Sequence, residues 1–507
     1  MKEIPNTPGK ANSYLLEASY WDGQQVRRGV LWIESGQIRA IEKNHEPFPK
    51  DLPRFRLPED GLLVPGFIDT HTHMASYGVK LQRPDFGTVR SLTEFLEKLK
   101  EEVQRRASTF LIGEGFDQST WPENRLPTRE ELDRVTGTVP VIIRRVCGHV
   151  AVANTAALEK LPPQTPGVDW QHGWLFEEVP LHLHQFVPLE FEEVKLGILH
   201  AQERLLALGI TSIHDIGSPT QFRAYQELHQ AGLLQIRVTF HLLDRYASAW
   251  LEGGIVTGLG DETLRVGGIK FFLDGSVGAR TAAFFARYPG QHTTGRLNWR
   301  TSELRLHLQR LHEHGLQVLC HAIGDRAIRQ IVHLWNEILA GGNPLRHRIE
   351  HLEFPQEKDL SLLSKLGLYV SLQPNFVARW GGPGALYDQQ LGHVRWRRNN
   401  PFRRILDHGI RAAFGSDGMP YGPLYGLQGA VAHTLPSSRL TLEEALQLYT
   451  HAGAFFSFEE DCKGKLAPGF LADMVLLVRS PFQAPIHEVQ VKGVWVGGMQ
   501  VFTPRTL

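Results

Sequence analysis

The sequence predicts an α/β fold: a (β/α)8 TIM-like barrel, a small β-sandwich domain built from both termini, and an α/β insertion after the first barrel strand. Three observations lead there. In the middle of the chain apolar, strand-like runs alternate with helical patterns, and eight such runs end near His71, Asp215, His241, Asp274, His321, His351, Gln373 and Asp417. Both ends of the chain are instead rich in short strands and tight turns. Several of the central runs finish on histidine, lysine or aspartate, and the C-terminal strand ends are where such barrels place their chemistry.

The N-terminal elements come first. Tyr14-Leu15-Leu16, Gly29-Val30-Leu31-Trp32-Ile33 and Gln37-Ile38-Arg39-Ala40-Ile41 read as strands separated by the hairpin signals Asp22-Gly23 and Ser35-Gly36. Met474 to Val478 and Val489 to Val496 repeat the pattern at the other end. Neither end alone has enough strands to bury a face, so one composite domain is expected. Next comes the apolar run Leu62-Leu63-Val64-Pro65-Gly66-Phe67-Ile68, read as one strand that ends in Asp69-Thr70-His71-Thr72-His73.

Helical patterns fill most of the gaps between strands. Ser302 to Leu311 is one, and Asp325 to Trp335 is another, with Asp325 as the expected N-cap. An open doubly wound sheet is the alternative architecture. It would need a glycine-rich phosphate turn, which is not found. Strand one to strand eight spans residues 64–418, well above the ~250 residues of an ordinary barrel. The excess lies between His73 and the strand Gly209 to Asp215, and removing 78–200 leaves a barrel of ordinary size. Within this insert Ser91-Leu92-Thr93-Glu94 is a capping box, opening a helix with Leu92, Phe95, Leu96, Leu99 and Val103 on one face. A strand follows at Val139-Pro140-Val141-Ile142-Ile143. The expected organisation is a β-domain from 1–62 and 464–507, a barrel from 63–463, and a subdomain at 78–200 that departs on the catalytic side as a lid. Broadening of a homo-oligomer interface is its alternative role.

Composition narrows the function classes. In 507 residues, 54 basic side chains balance 54 acidic ones, which argues against nucleic acid or a membrane surface as partner. The segment Met1 to Asn12 is polar and lacks the apolar core of a signal peptide, and no apolar run approaches the ~20 residues of a membrane span. Cys147, Cys320 and Cys462 form neither a disulfide framework nor a CxxC site. A cytoplasmic protein acting on a small molecule is expected.

The chemistry-bearing residues are His71 and His73, Lys270, His321, His351 and Asp417. Alternate residues of a strand share a face, so His71 and His73 leave the backbone side by side as half of a metal site. Each of the six has an ordinary alternative: Asp417 as a cap, His351 as a core imidazole, Lys270 in an ion pair. Together, at corresponding strand ends, four histidines and an aspartate make a ligand set suited to zinc or another divalent transition metal.

Longer stretches around these residues carry a resemblance. They are Gly66 to His73, Gly115-Phe116-Asp117, Gly148 to Asn154, Lys270 to Ser276, His321 to Ala327, Arg348 to His351, Gly415-Ser416-Asp417 and Gly464 to Met474. In them the chain resembles the amidohydrolase superfamily, and within it the amidohydrolase-3 group that includes N-substituted formamide deformylase-like proteins. Phe116 stands where that group usually has tryptophan.

The resemblance implies that His71, His73 and Asp417 bind one buried metal and that His321 and His351 bind a second, more exposed one. Lys270 would bridge the two as an Nζ-carboxylated lysine, because an ammonium carries no acceptor for a cation. A single metal beside an unmodified Lys270 is the alternative. The implied reaction is hydrolysis of a C–N bond in a small amide by metal-activated hydroxide, with Asp417 carrying the proton. His149, Asn154, Asp274 and Arg280 are candidate substrate contacts; Asp274-Gly275-Ser276 also reads as a plain turn. A deaminase acting on a ring amine is the rival enzyme, and Lys270 counts against it. A degenerate barrel used for binding is the rival class, and it predicts lost ligands where every position is filled.

Overall fold

The computed structural model describes residues 13–41, 48–105, 110–181, 183–187, 190–339 and 341–504. The polar segment 1–12, read as lacking a signal peptide, lies outside the described residues. The chain divides into two compact units, Met1–Tyr77 with Ile198–Leu507, and Gly78–Gly197.

The first unit holds eight parallel strands, named here β1 (Phe67–Thr72), β2 (Ile210–Gly217), β3 (Arg237–Leu243), β4 (Leu264–Phe272), β5 (Gln317–Ala322), β6 (Arg348–His351), β7 (Tyr369–Leu372) and β8 (Ala412–Phe414). They are hydrogen bonded in chain order, β1 through β8. The ring closes through single contacts: the Asp417 amide donates to the His71 carbonyl at 2.8 Å, and the Thr70 hydroxyl donates to the Phe414 carbonyl at 3.0 Å. Buried on both faces, strands such as β4, β5 and β8 read as largely apolar runs, which is why they stand out in the sequence, while β6 carries Arg348, Glu350 and His351. The surrounding helices bury one stripe each. Asp325–Ile338 turns Ile328, Ile331, Val332 and Trp335 inward. Asp325 does not cap it. Its carboxylate accepts instead from the Phe285 amide at 2.9 Å and from Gln356 at 3.0 Å, so the cap position falls to Gly324.

Strands from both termini form one eight-stranded sheet. Met499–Phe502, Gln490–Val496, Met474–Val478, Leu62–Pro65, Tyr14–Trp21, Val26–Glu34 and Gln37–Ile41 follow in that order, with Arg54–Arg56 beside Tyr14–Trp21. The domain expected as a sandwich is thus continuous by hydrogen bonding, around a core that includes Tyr14, Leu31, Ile33, Met474 and Trp495. Leu62–Pro65 corrects the expectation of a single strand running from Leu62 into the His71 pair. The run breaks at Gly66, whose amide donates to the Asp473 carbonyl at 2.8 Å and where a Cβ would meet Thr211 Oγ1 at 2.1 Å. The first half joins the terminal sheet and the second half becomes β1. Arg237, opening β3, pairs with Asp473 through two bonds of 2.7 and 3.0 Å, tying the returning C-terminal segment to the barrel.

The second unit, Gly78–Gly197, ends three residues before the expected boundary at 200. It has its own five-stranded sheet in the order Val168–Asp169, Trp174–Phe176, Val150–Ala153, Val141–Arg145, Leu111–Phe116. The helix Leu92–Arg105 packs Leu92, Phe95 and Leu99 into a cluster with Phe86, Phe116 and Trp121. Its capping box is displaced by one residue: the Glu94 amide donates to Ser91, but the Glu94 carboxylate accepts from the Arg90 amide. Among the described residues, no helix is long and apolar enough to cross a membrane.

Candidate metal centre

The six sequence-selected residues meet at the C-terminal end of the barrel. His71 lies within β1 and His73 just after it, their ring centroids 5.6 Å apart. Asp417, after β8, places Oδ1 at 3.2 Å from His73 Nε2 and 3.7 Å from His71 Nε2. One ligand atom from each of the three falls within 4.8 Å of the others. Lys270 on β4 sets Nζ 3.2 Å from His71 Nε2. The His351 ring, at the end of β6, is 4.8 Å from that of His71, and the His321 ring on β5 is 4.4 Å from that of His351. His351 and Asp417 take positive φ values of 74° and 53°. Such backbone costs about 1–3 kcal/mol in a non-glycine residue and persists where surrounding contacts over-determine it.

A second layer of buried polar groups holds these side chains. His71 Nδ1–H donates to Glu350, whose other oxygen accepts from Arg348 Nε at 2.6 Å. Arg348 also reaches His214 Nδ1 at 3.0 Å and the Thr70 carbonyl at 2.9 Å. With Nδ1 as donor, His71 keeps its Nε2 lone pair for the site. Asp69 accepts from the Ser416 amide at 2.9 Å and from the Ser416 hydroxyl, which pins the end of β8 to β1 and so places Asp417 beside the histidines. Asp215 accepts from Thr72 Oγ1 at 2.9 Å and Tyr225 OH at 2.7 Å, bracing the other flank.

Electrostatics follow from this packing. Burial drives His71 and His351 well below the usual imidazole range, so both are neutral and able to ligate. Burial also pulls on His73, but the hydrogen bond and charge of Asp417 outweigh it and raise the pKa. Asp417 itself is lowered to about 2, because His71, His73 and Lys270 overcome its burial. Lys270 is lowered to about 8, chiefly by burial.

Comparison with known proteins matches this geometry to a family. The model described as "Amidohydrolase family" fits residues 59–502, most of the chain. The chain belongs to the amidohydrolase family. The Bacillus subtilis (strain 168) protein named amidohydrolase YtcJ is 27% identical, over 96% of this chain and 97% of its own. The N-substituted formamide deformylase of Arthrobacter pascens is 25% identical, over 86% of this chain and 88% of its own. The crystal structure of an uncharacterized metal-dependent hydrolase from Pyrococcus furiosus superposes with a TM-score of 0.81 at 27% identity, covering 92% of this chain and 99% of that one. As an amidohydrolase the protein is a metal-dependent hydrolase.

The residues of this amidohydrolase fit a divalent metal. His71 Nε2, His73 Nε2 and Asp417 Oδ1 converge, and the buried His351 Nδ1 has no hydrogen-bond partner among the described residues. An unpartnered neutral imidazole nitrogen beside other ligand atoms is suited to coordinate such an ion. His321 Nε2 donates to the Gly275 carbonyl at 3.1 Å, which frees its Nδ1.

The four candidate substrate contacts fare differently. Asp274 is buried and accepts from the amides of Ala283 at 2.8 Å, Gly324 at 2.9 Å and Ile323 at 3.1 Å, with His321 Nε2 at 3.4 Å. It organises the loops after β4 and β5. Arg280 is exposed and bonds Gln390. Asn154 is corrected to a structural role within the inserted unit. Its Oδ1 accepts from Val141 and Ala157 amides at 2.9 and 3.0 Å, and its Nδ2 donates to Thr136 and Val139 at 2.8 Å each, which leaves nothing for a substrate. His149, in the same unit, is exposed and pairs with Glu177 at 2.8 Å. Sequence reasoning missed Glu350, Arg348, Asp69 and Asp215. The first two stand inside the quoted Arg348 to His351 stretch, where a charged pair in a barrel strand was the available signal.

Proposed function

We propose that this amidohydrolase cleaves the C–N bond of a small amide using two divalent metals, zinc foremost. The observation that carries the reading is Lys270: a fully buried lysine on β4, its Nζ facing the lone pair of His71. An ammonium there repels cations, whereas the neutral amine, favoured by burial, can add to CO2, losing one proton and gaining two carbamate oxygens. His71, His73 and Asp417 would hold one metal, His321 and His351 the other, with carboxylated Lys270 between them. Divalent metals bound there would polarise a carbonyl and lower the pKa of water to ~7.

The protein's own groups do the rest. Asp417, held ionised by His71, His73 and Lys270, takes the proton that water loses as its oxygen bonds the carbonyl carbon. The same proton then passes to the nitrogen as the C–N bond breaks, which leaves a carboxylic acid and an amine. Glu350 keeps His71 facing the site throughout. The relative named N-substituted formamide deformylase supports the amide class. A lid role for the insert, with His149 as a contact, belongs to the same proposal and rests on its departure from the chain soon after His73.

The test is metal analysis of the purified protein, joined to a screen of N-formyl, N-acyl and cyclic amides with amine release as readout. Metal-dependent amine release that falls ~10²-fold in Asp417→Asn is expected, the scale of a general base. Release of ammonia from ring amines with no turnover of amides overturns the reading.

A further inference from the structure

The inserted unit carries a cavity lined by its own residues. Its volume is about 470 Å³, and Lys80, Arg83, Asp85, Glu114, Arg144 and Cys147 are among the side chains lining it. That is the size of a small-molecule pocket, ~300–1,000 Å³. Two of its walls are the C-terminal ends of neighbouring parallel strands, Leu111–Phe116 and Val141–Arg145, with Glu114 in register with Arg144. Ligands of α/β sheets gather at such ends because loops and side chains converge there. The pairing shifts between Glu114 and Phe116, around Gly115 at φ 100°. A bulge of this kind re-aims the side chains beside it.

Charge at this cavity is unevenly matched. Glu114 accepts from Arg83 Nη1 at 2.6 Å and from Arg144 Nη2 at 2.7 Å, and Lys80 Nζ lies 3.8 Å from its other oxygen. One carboxylate therefore serves three cations. Burial pushes Glu114 up, but Arg144 and Arg83 outweigh it and hold the group ionised. Arg83 Nε is buried with no hydrogen-bond partner among the described residues. The fourth cation of the lining, Arg145, is engaged by Asp117 at 2.6 Å and Gln118 at 2.8 Å. Asp85 binds the Gly87 amide at 2.9 Å. Arg144 also donates through Nη1 to the Pro180 carbonyl at 3.3 Å. The excess of cationic donors over acceptors lies on the side of Lys80, Arg83 and Arg144, where planar guanidinium groups suit oxyanions. Pro84 and Val146 add apolar surface for the body of a ligand.

We propose that this cavity binds a small molecule through an oxyanion, a carboxylate or a phosphate, seated against Lys80, Arg83 and Arg144. The insert is then a binding module in its own right, with recognition chemistry built from its own side chains.

Cys147 makes the proposal testable in the intact protein. It lines the cavity and is exposed, whereas Cys320 is buried and Cys462 half-buried. Burial raises its thiol pKa, but Arg145 and the amides of His149 and Val150 outweigh this, and the net shift is downward. The experiment measures the rate of iodoacetamide modification at Cys147 by peptide mass spectrometry, with added inorganic phosphate or succinate, ionic strength being held constant with chloride. Saturable protection is expected, reaching ~10-fold slowing at ten times Kd by mass action. Protection by phosphate alone assigns a phosphate ligand, by succinate alone a carboxylate, and by both a general oxyanion site. Lys80→Ala, at a side chain 63% exposed, and Arg144→Gln should each abolish the protection. Should Arg144→Gln fail to fold, Lys80→Ala decides. No slowing beyond that of chloride, or undiminished protection in Lys80→Ala, reduces the cluster to an internal ion-pair network and overturns the proposal.

Discussion

Replacing Glu350 with glutamine isolates what the buried carboxylate does. Two donors face it: His71 Nδ1–H on one oxygen and Arg348 Nε–H on the other, the latter at 2.6 Å. A carboxylate accepts from both; an amide of the same shape has one oxygen, so one donor meets an NH2 group. If Arg348 keeps the oxygen, His71 loses its orienting partner, and loss of such a partner typically costs ~10–100-fold in metal affinity. If His71 keeps it, Arg348 is left as an uncompensated buried charge, at about 3–5 kcal/mol of stability. Arg348 is wholly buried, so solvent screening offers no relief. Glu350→Gln should therefore bind zinc more weakly in competition with a fluorescent chelator, or unfold at lower denaturant by circular dichroism, or both. Parental affinity together with parental stability would falsify the orienting role.

The other predictions concern separate groups. Lys270→Ala should lose metal and turnover together, and added short carboxylic acids should partly restore both; undiminished metal content in that variant excludes the bridging role. Asn154→Ala removes the four hydrogen bonds of a saturated side chain, including a helix cap worth ~1 kcal/mol. It should speed limited proteolysis inside 78–197, and a change in KM with unaltered proteolysis contradicts the structural assignment. The metal-free protein should also lose stability in mild acid. Burial holds His214, His241 and His347 well below 6.5, and His433 is lowered to about 4. These imidazoles stay neutral when folded but take up protons when unfolded, so stability is full above pH 6.5 and falls as pH drops from there toward 4. The limiting slope is ~1.4 kcal/mol per pH unit for each such group. Denaturant midpoints at pH 7.5 and 5.5 measure it, and equal midpoints refute it.

What the sequence revealed, and what it hid, follow from the range of the forces involved. Strands such as β4, β5 and β8 were legible because burial on both faces makes them largely apolar. In contrast β6, with Arg348, Glu350 and His351 among its four residues, was legible by its ending in histidine and by the stretch around it. Gly66 was not legible as a break. The run from Leu62 to Ile68 is apolar on either side of it, and the reason for the break is Thr211, a neighbour supplied only by folding. Asn154 misled for the opposite reason. A polar residue in a family-like stretch reads as a contact, yet its position opening the helix Thr155–Leu158 makes it a cap. Arg348 and Glu350 lie on one face of β6, and a charged pair there gives no local sign that it faces the barrel interior.

That interior is the place to separate stability from function. Barrels of this class are usually filled by layers of branched apolar side chains. Here Arg348, Glu350, His214, His241 and Lys270 are all wholly buried. Burial pulls the Arg348 pKa down and Glu350 opposes it, so each charge exists in this medium because of the other. A buried pair of this kind seldom stabilises a fold relative to apolar residues of similar volume, which are often neutral or better by ~1–4 kcal/mol. If the pair is retained for the metals, the double variant Arg348→Met, Glu350→Leu should fold at least as stably as the parent in metal-free form. It should still bind zinc ~10–100-fold more weakly, because His71 no longer has an acceptor for Nδ1–H. The single variants should each be less stable than the double. A double variant less stable than the parent in metal-free form would show that the pair holds the barrel together, and the link between its charge and the metal centre would fail.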